Sequence, residues 1–151
     1  MNNTSSFLSI INTYGFLVIL GLVLGLYAQR KKFLKGIGLI GMSTFLSVVV
    51  GVLFKELFLI PRPFLQSGVE PRLGLTYFSS FPSLHTMIVF SAVMVLWNLN
   101  KKMGVVVGVL ALILSLGRVW GGVHFGVDVW AGMVIGVLIG RLVVDFWHSL
   151  S

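Results

Sequence analysis

Residues 103–147 read MGVVVGVLALILSLGRVWGGVHFGVDVWAGMVIGVLIGRLVVDFW. They hold two apolar runs, each near the roughly 20 residues that a helix needs to cross about 30 Å of hydrocarbon. Neither run has a continuous polar face to turn toward water, so both are expected to lie in lipid. The break between them, Gly117-Arg118-Val119-Trp120-Gly121-Gly122-Val123-His124, is short, and Asp128 follows four residues after His124. Arg118, His124 and Asp128 therefore fall at one end of a pair of spans.

Outward from this stretch, three more apolar runs give spans near 7–28, 36–58 and 82–99, besides 103–120 and 125–147. The expected fold is all-α: a single membrane domain over 1–151, built as a bundle of about five transmembrane helices. Composition agrees. The 151 residues are 57% hydrophobic and 10% charged, against about a quarter charged in soluble domains, which excludes a water-soluble monomer. The first run is expected to stay as a helix, because no basic residue precedes it, it exceeds the length of a signal h-region and no A-x-A site follows. Pro61 and Pro63 end the second span, Pro82 is suited to the first turn of the third, and Asn98-Leu-Asn100-Lys-Lys102 separates the third from the fourth. With no cysteine, disulfide and thiol chemistry are excluded.

A net charge of +7 would suggest a nucleic-acid partner in a soluble protein. Here the basic residues sit in short clusters between apolar runs, so no nucleic-acid partner is expected. Arg30, Lys31, Lys32, Lys35, Lys101, Lys102 and Arg141 all fall on one side of a five-span chain. The positive-inside rule makes that side cytoplasmic, with the C-terminus, and places the N-terminus and the 59–81 and 121–124 loops outside. Lys55, Arg62, Arg72 and Arg118 oppose that trend. Glycines recur every fourth residue at Gly21/Gly25, Gly104/Gly108 and Gly132/Gly136/Gly140, a spacing that lets helices approach closely in lipid.

The outer ends of spans two to five gather most of the remaining polar residues. Lys55 and Arg62 flank the end of span two, Ser83-Leu84-His85 opens span three, Arg118 ends span four, and His124 and Asp128 open span five. A doubly charged phosphate needs cations and N–H donors, which Lys55, Arg62 and Arg118 supply, the arginines as forks that grip two oxygens. Ser83, the Leu84 amide and the helix start add further donors. The i,i+4 spacing lets Asp128 hold one ring nitrogen of His124 and leave the other free to attack, and His85 stands ready as general acid. Taken singly, each residue also reads as an interface anchor or a snorkelling side chain. His85, His124 and Asp128 also fit a zinc spacing, but three cations in the same layer favour an anion over a dication, so no metal or other cofactor is expected. Glu70 pairs on the loop with Arg72 in this reading, and Glu56, Lys101, Lys102, Asp145 and His148 are interfacial or solvated.

The order Lys-x6-Arg-Pro, Pro-Ser-x-His and Arg-x5-His-x3-Asp resembles the three-part signature of the type 2 phosphatidic acid phosphatase superfamily. The resemblance implies a phosphohistidine on His124 oriented by Asp128, His85 as the acid, and Lys55, Arg62, Ser83, the Leu84 amide and Arg118 around the phosphate. Leu84 stands where the family usually has Gly, and Gly117 where it usually has Ser. Pro61-Arg62-Pro63-Phe64, Arg118-Val-Trp-Gly-Gly-Val-His124 and the chain length resemble the compact bacterial undecaprenyl-diphosphatases. That implies undecaprenyl diphosphate as substrate on the outer face of the cytoplasmic membrane, with phosphatidylglycerophosphate, phosphatidate or lipid A phosphate as alternatives. The apolar loop, with Phe64, Leu65, Leu73, Leu75, Tyr77, Phe78 and Phe81, fits a lipid interface. A non-hydrolytic transporter or flippase of anionic lipids is the competing class. A catalytically silent scaffold is disfavoured, because every catalytic position is filled.

Overall fold

The computed structural model describes residues 33–63 and 79–150. Four helices run through them: α1 (Phe33–Phe58), α2 (Leu84–Leu99), α3 (Lys101–Trp120) and α4 (Gly126–Leu150). Among the described residues there is no strand. The expected span at 7–28, Gly21, Gly25, Arg30, Lys31, Lys32, Glu70, Arg72 and the loop residues Phe64, Leu65, Leu73, Leu75, Tyr77 and Phe78 lie outside them.

By length and composition, Leu34–Phe58, Lys101–Trp120 and Gly126–Leu150 can each cross a membrane, and Leu84–Leu99 is a shorter apolar helix. The outer surface is as apolar as the core: Leu34, Phe45, Leu57, Trp120 and Trp130 are exposed, whereas Ser43, Ser47, Thr86, Ser91 and Ser115 are buried. Where the surroundings are hydrocarbon, apolar side chains gain nothing by turning inward, so small polar residues that bond across helices take the interior. Ser91 donates to Ser43 Oγ at 3.4 Å across α2 and α1, and Ser43 donates to the Ile40 carbonyl at 3.0 Å. The protein is a multi-pass membrane protein.

Helix α2 is the hub, packed against α4 most extensively and then against α1 and α3. Its connection to α3 is a single residue. Asn100 closes α2 through its own N–H to the Leu96 carbonyl, and its side chain accepts from the N–H groups of Lys102 and Met103 at 3.0 and 3.2 Å, an N-cap for α3. Pro82 does not open the helix as expected. Ser83 is extended, its N–H donates to the Asp128 carbonyl at 3.0 Å, and its own carbonyl accepts the first helical bond from Met87, so the helix begins one residue after Ser83.

The glycines of α4 account for its close approach to α2. A methyl group on Gly132 would lie 2.8 Å from the Ser83 carbonyl oxygen, and on Gly136 and Gly140 it would press into the carbonyls of Met87 and Ser91. These three carbonyls repeat every four residues along α2, in register with the glycine face of α4. Gly104 meets the Trp97 backbone in the same way at the α2–α3 corner, whereas Gly108 has ordinary space.

Candidate active site

Helices α2 and α4 begin at one end of the bundle, and α1 and α3 finish there. The sequence alone separates the candidate residues by up to 73 positions; the fold brings Lys55, Arg62, Leu84, His85, Arg118 and His124 onto the wall of one cavity of about 260 Å³, joined by Val52 and Glu56. That volume is near the lower end of ordinary ligand pockets, about 300–1,000 Å³, enough for a headgroup and not for a chain.

Each side chain is delivered by a local device. Beyond α1, Leu59 takes a φ of 40°, in the left-handed region that usually ends a helix at glycine, and its N–H returns to the Lys55 carbonyl at 3.3 Å. The chain then pairs with the segment before α2: Ser80 N–H donates to the Ile60 carbonyl at 2.8 Å, and Ile60 N–H to Ser79 Oγ at 3.0 Å. Phe58 stacks on Phe54 and meets Phe81 edge-on with ring centroids 5.4 Å apart. Lys55 Nζ donates to the Ser79 carbonyl. Lys55 and Arg62 are both buried at the cavity as a result.

After α3 the Arg118 carbonyl accepts from both Val123 N–H and His124 N–H, at 3.2 and 3.3 Å, and Gly122 takes φ 68°, which closes the connection to a tight turn. Asp128, three residues past Phe125, reaches back so that its Oδ2 accepts from Phe125 N–H at 2.8 Å, the acidic half of a capping box. The same oxygen is 3.5 Å from His124 Nδ1, with both side chains buried. Ser80 lies beside that carboxylate. The spacing thus brings His124 Nδ1 beside the Asp128 carboxylate, which the helix cap anchors.

Lys55, Arg62 and Arg118 are 9, 7 and 4% exposed. Among the described residues, three buried cations face one buried carboxylate, Asp128, an excess of positive charge that suits an anion. Burial holds the His124 imidazole down at about 4, with Arg118, Arg62 and Lys55 pushing the same way and Asp128 opposing them, so this ring is neutral at physiological pH. Ser83 does not line the cavity. Its Oγ accepts from Thr86 Oγ1 at 3.1 Å, which leaves its own hydroxyl proton free to donate, and its N–H is committed to Asp128. At the other end of the bundle Lys35 Nζ sits 5.6 Å over the Trp147 ring and Arg141 pairs with Asp145 at 2.8 Å. Among the described residues, no three His, Asp or Glu side chains are grouped to hold a metal ion, so His85, His124 and Asp128 do not form the zinc set that their spacing allowed.

Ser79, Ser80, Val52 and Glu56 were not singled out for the site by spacing. The serines precede Phe81-Pro82-Ser83 directly, a signal available in the sequence, but their partners are contributed by α1 and α4. Glu56 reads as solvated, and it is exposed, yet it edges the cavity.

The PAP2 superfamily matches residues 36–150. A Bacillus licheniformis protein named bacitracin transport permease protein BcrC is 42% identical over 71 residues, covering 47% of this chain and 34% of that protein. The undecaprenyl-diphosphatase BcrC of Bacillus subtilis (strain 168) is 28% identical over 130 residues, covering 86% of this chain and 66% of that protein. The chain therefore spans about a third of the first relative and just under two thirds of the second. Among solved structures, LpxE of Aquifex aeolicus superposes with a TM-score of 0.78 at 24% identity, over 96% of this chain and 87% of that one, a likeness of fold.

Proposed function

The chain belongs to the PAP2 superfamily, and from that premise we propose that it is a metal-independent lipid phosphatase that works through a phosphohistidine on the outer face of a bacterial cytoplasmic membrane. The observation that carries the reading is the buried pair of His124 Nδ1 and Asp128 Oδ2 at 3.5 Å, set against a cavity with three buried cations. Undecaprenyl diphosphate is the proposed substrate, a choice supported by the name of the Bacillus subtilis relative; phosphatidylglycerophosphate, phosphatidate and lipid A phosphate are the alternatives.

In this mechanism Lys55, Arg62 and Arg118 hold the terminal phosphate, with the Leu84 amide as a further donor, while Ser83, buried behind the cavity wall, positions the start of α2 through its N–H to the Asp128 carbonyl. Amides in the first turn of α2 have no partner within the helix, so they can face an anion. Asp128 accepts from His124 Nδ1–H, a contact that tightens when substrate is bound, and this fixes the tautomer with a lone pair on Nε2. Nε2 attacks phosphorus, the bond from phosphorus to the leaving oxygen breaks, and His85 gives that oxygen its proton. Water then attacks the phosphohistidine, His85 takes the water's proton, the P–N bond breaks and inorganic phosphate leaves.

A panel of polyprenyl diphosphates and phospholipid phosphates, assayed for phosphate release, tests the activity. Vanadate, which adopts the five-coordinate geometry of the reacting phosphorus, is expected to inhibit, and EDTA to leave the rate unchanged; loss of activity in EDTA with recovery on adding a metal would refute metal independence. A transporter is the second reading, supported by the name of the Bacillus licheniformis relative. It predicts headgroup movement across liposomes with no phosphate release.

The rate is expected to be bell-shaped in pH. His124 must be neutral to attack, and its pKa is held down at about 4, so the acid limb of kcat/KM falls as pH drops through that value, below the ordinary imidazole value of about 6.5. On the alkaline side the rate falls as the general acid loses its proton, and the two apparent values belong to the coupled pair. An acid limb centred near pH 6.5, the ordinary imidazole value, counts against this division of roles.

A further inference from the structure

Two residues of the cavity wall, Val52 and Leu84, are apolar; the others are Lys55, Glu56, Arg62, His85, Arg118 and His124. Whatever is bonded to a phosphate held by the cations meets this wall, and among the described residues that line it Val52 and Leu84 are the ones that can bury its apolar part, because the polar groups would lose hydration without a partner. Val52 is 45% exposed and so lies toward the lipid side. Leu84 is half-buried at the start of α2 and is seated over α1 at Gly51: a methyl group built on Gly51 would come within 2.6 Å of Leu84 Cδ1 and 3.3 Å of Met87 Sδ. The other tight glycines of the bundle face backbone, at Ser83, Met87, Ser91 and Trp97. Gly51 instead faces the end of a side chain, and the space left by its missing methyl is where Leu84 rests.

We propose that Leu84 is a specificity-determining residue, positioned by Gly51, that admits phosphates joined to a linear group and excludes phosphates mounted directly on a sugar ring. A primary carbon presents one narrow chain to the Leu84 wall, and a second phosphate, whose charged oxygens Lys55, Arg62 and Arg118 on the same cavity can pair, likewise carries a single chain past it. A ring carbon presents two branches and their hydroxyls, and the hydroxyls pressed against Leu84 and Val52 find no hydrogen-bond partner there. The proposal rests on the phosphatase reading and selects, within its substrate classes, polyprenyl diphosphates and glycerolipid phosphates over glycosyl phosphates.

The test compares kcat/KM for farnesyl diphosphate with that for a glucosamine 1-phosphate lipid, in detergent, for the full chain and for Leu84→Ala, Gly51→Ala and the double variant. The ratio cancels any loss of folded protein. Wild type is expected to favour the linear substrate by about tenfold or more, the range that one or two methylene groups command in an apolar pocket, and Leu84→Ala to lower that preference about tenfold. Gly51→Ala, whose methyl meets a movable side chain, is expected to fold and to alter the ratio at least about threefold, but by less than about twofold when Leu84 is already Ala, as coupling through a shared contact requires. A ratio unchanged in Leu84→Ala, or a Gly51→Ala effect equal in both backgrounds, overturns the proposal while leaving the phosphatase reading standing. Absence of phosphate release from every substrate by wild type overturns both.

Discussion

His124→Ala is expected to lower phosphate release by about four orders of magnitude or more, the scale on which removal of a covalent nucleophile acts, and to abolish an acid-labile phosphoenzyme in rapid-quench labelling. Alanine cannot form the P–N bond, and the cation cluster of Lys55, Arg62 and Arg118 would still bind the substrate without cleaving it. The variant should therefore keep its affinity for substrate to within about an order of magnitude while kcat collapses and inhibition by vanadate weakens, the pattern expected when an interaction acts only in the transition state. Its fold should survive, because the Asp128 carboxylate remains held by Phe125 N–H at 2.8 Å and Ser83 N–H remains on the Asp128 carbonyl. Asp128→Asn, by contrast, removes both the tautomer control of His124 and the charge that opposes its three cationic neighbours, with a loss approaching about 10⁴ in kcat. A His124→Ala enzyme that retains a tenth of the wild-type rate would refute the mechanism.

Gly136→Leu carries the second large effect, far from the chemistry. Even its Cβ would press into the Met87 carbonyl and lie 3.0 Å from Met87 Cα, and neither atom can rotate aside. Helices α2 and α4 must separate, and they carry Ser83, Leu84 and His85 on one side and His124 and Asp128 on the other. Overpacking of this kind costs about 1–3 kcal/mol, and a shift of about 1 Å between reacting groups costs about 10² in rate. Thermal unfolding in detergent and kcat/KM should fall together. Gly108→Ala is the control: its methyl would find Val93 Cγ1 at 3.5 Å, an ordinary contact, so stability should change by less than about 0.5 kcal/mol and activity should persist. Equal effects at the two positions would show that regular glycine spacing, and not the α2–α4 contact, is what matters.

These two substitutions mark what could be read from the residues and what could not. Gly108 and Gly136 belong to identical every-fourth-residue patterns, so spacing ranks them alike; the Met87 carbonyl that distinguishes them comes from a helix some 50 positions away in the chain. The His124–Asp128 pair was legible because a helix start enforces i,i+4 proximity whatever surrounds it. Asp128 as a cap for Phe125 and Ser80 as its neighbour were not, since the first depends on where the helix begins and the second on which loop returns to it. Pro82 stands two residues before the helix for the same reason: its ring suits a first helical turn, but the pairing of Ser83 with Asp128 takes precedence.

By itself the sequence determined that apolar helices cross a membrane and that Lys55, Arg62, Arg118, two of the histidines and one carboxylate collect at one end of them. Both follow from local chemistry, since hydrocarbon demands internally bonded helices and polar side chains retreat to helix ends. Only the tertiary structure decided which of those residues share a cavity, that Ser83 joins two motifs through its backbone, and that Leu84 rests on Gly51. Those outcomes depend on contacts between helices at sub-ångström tolerance, set by close packing of whole surfaces that no single stretch of chain contains.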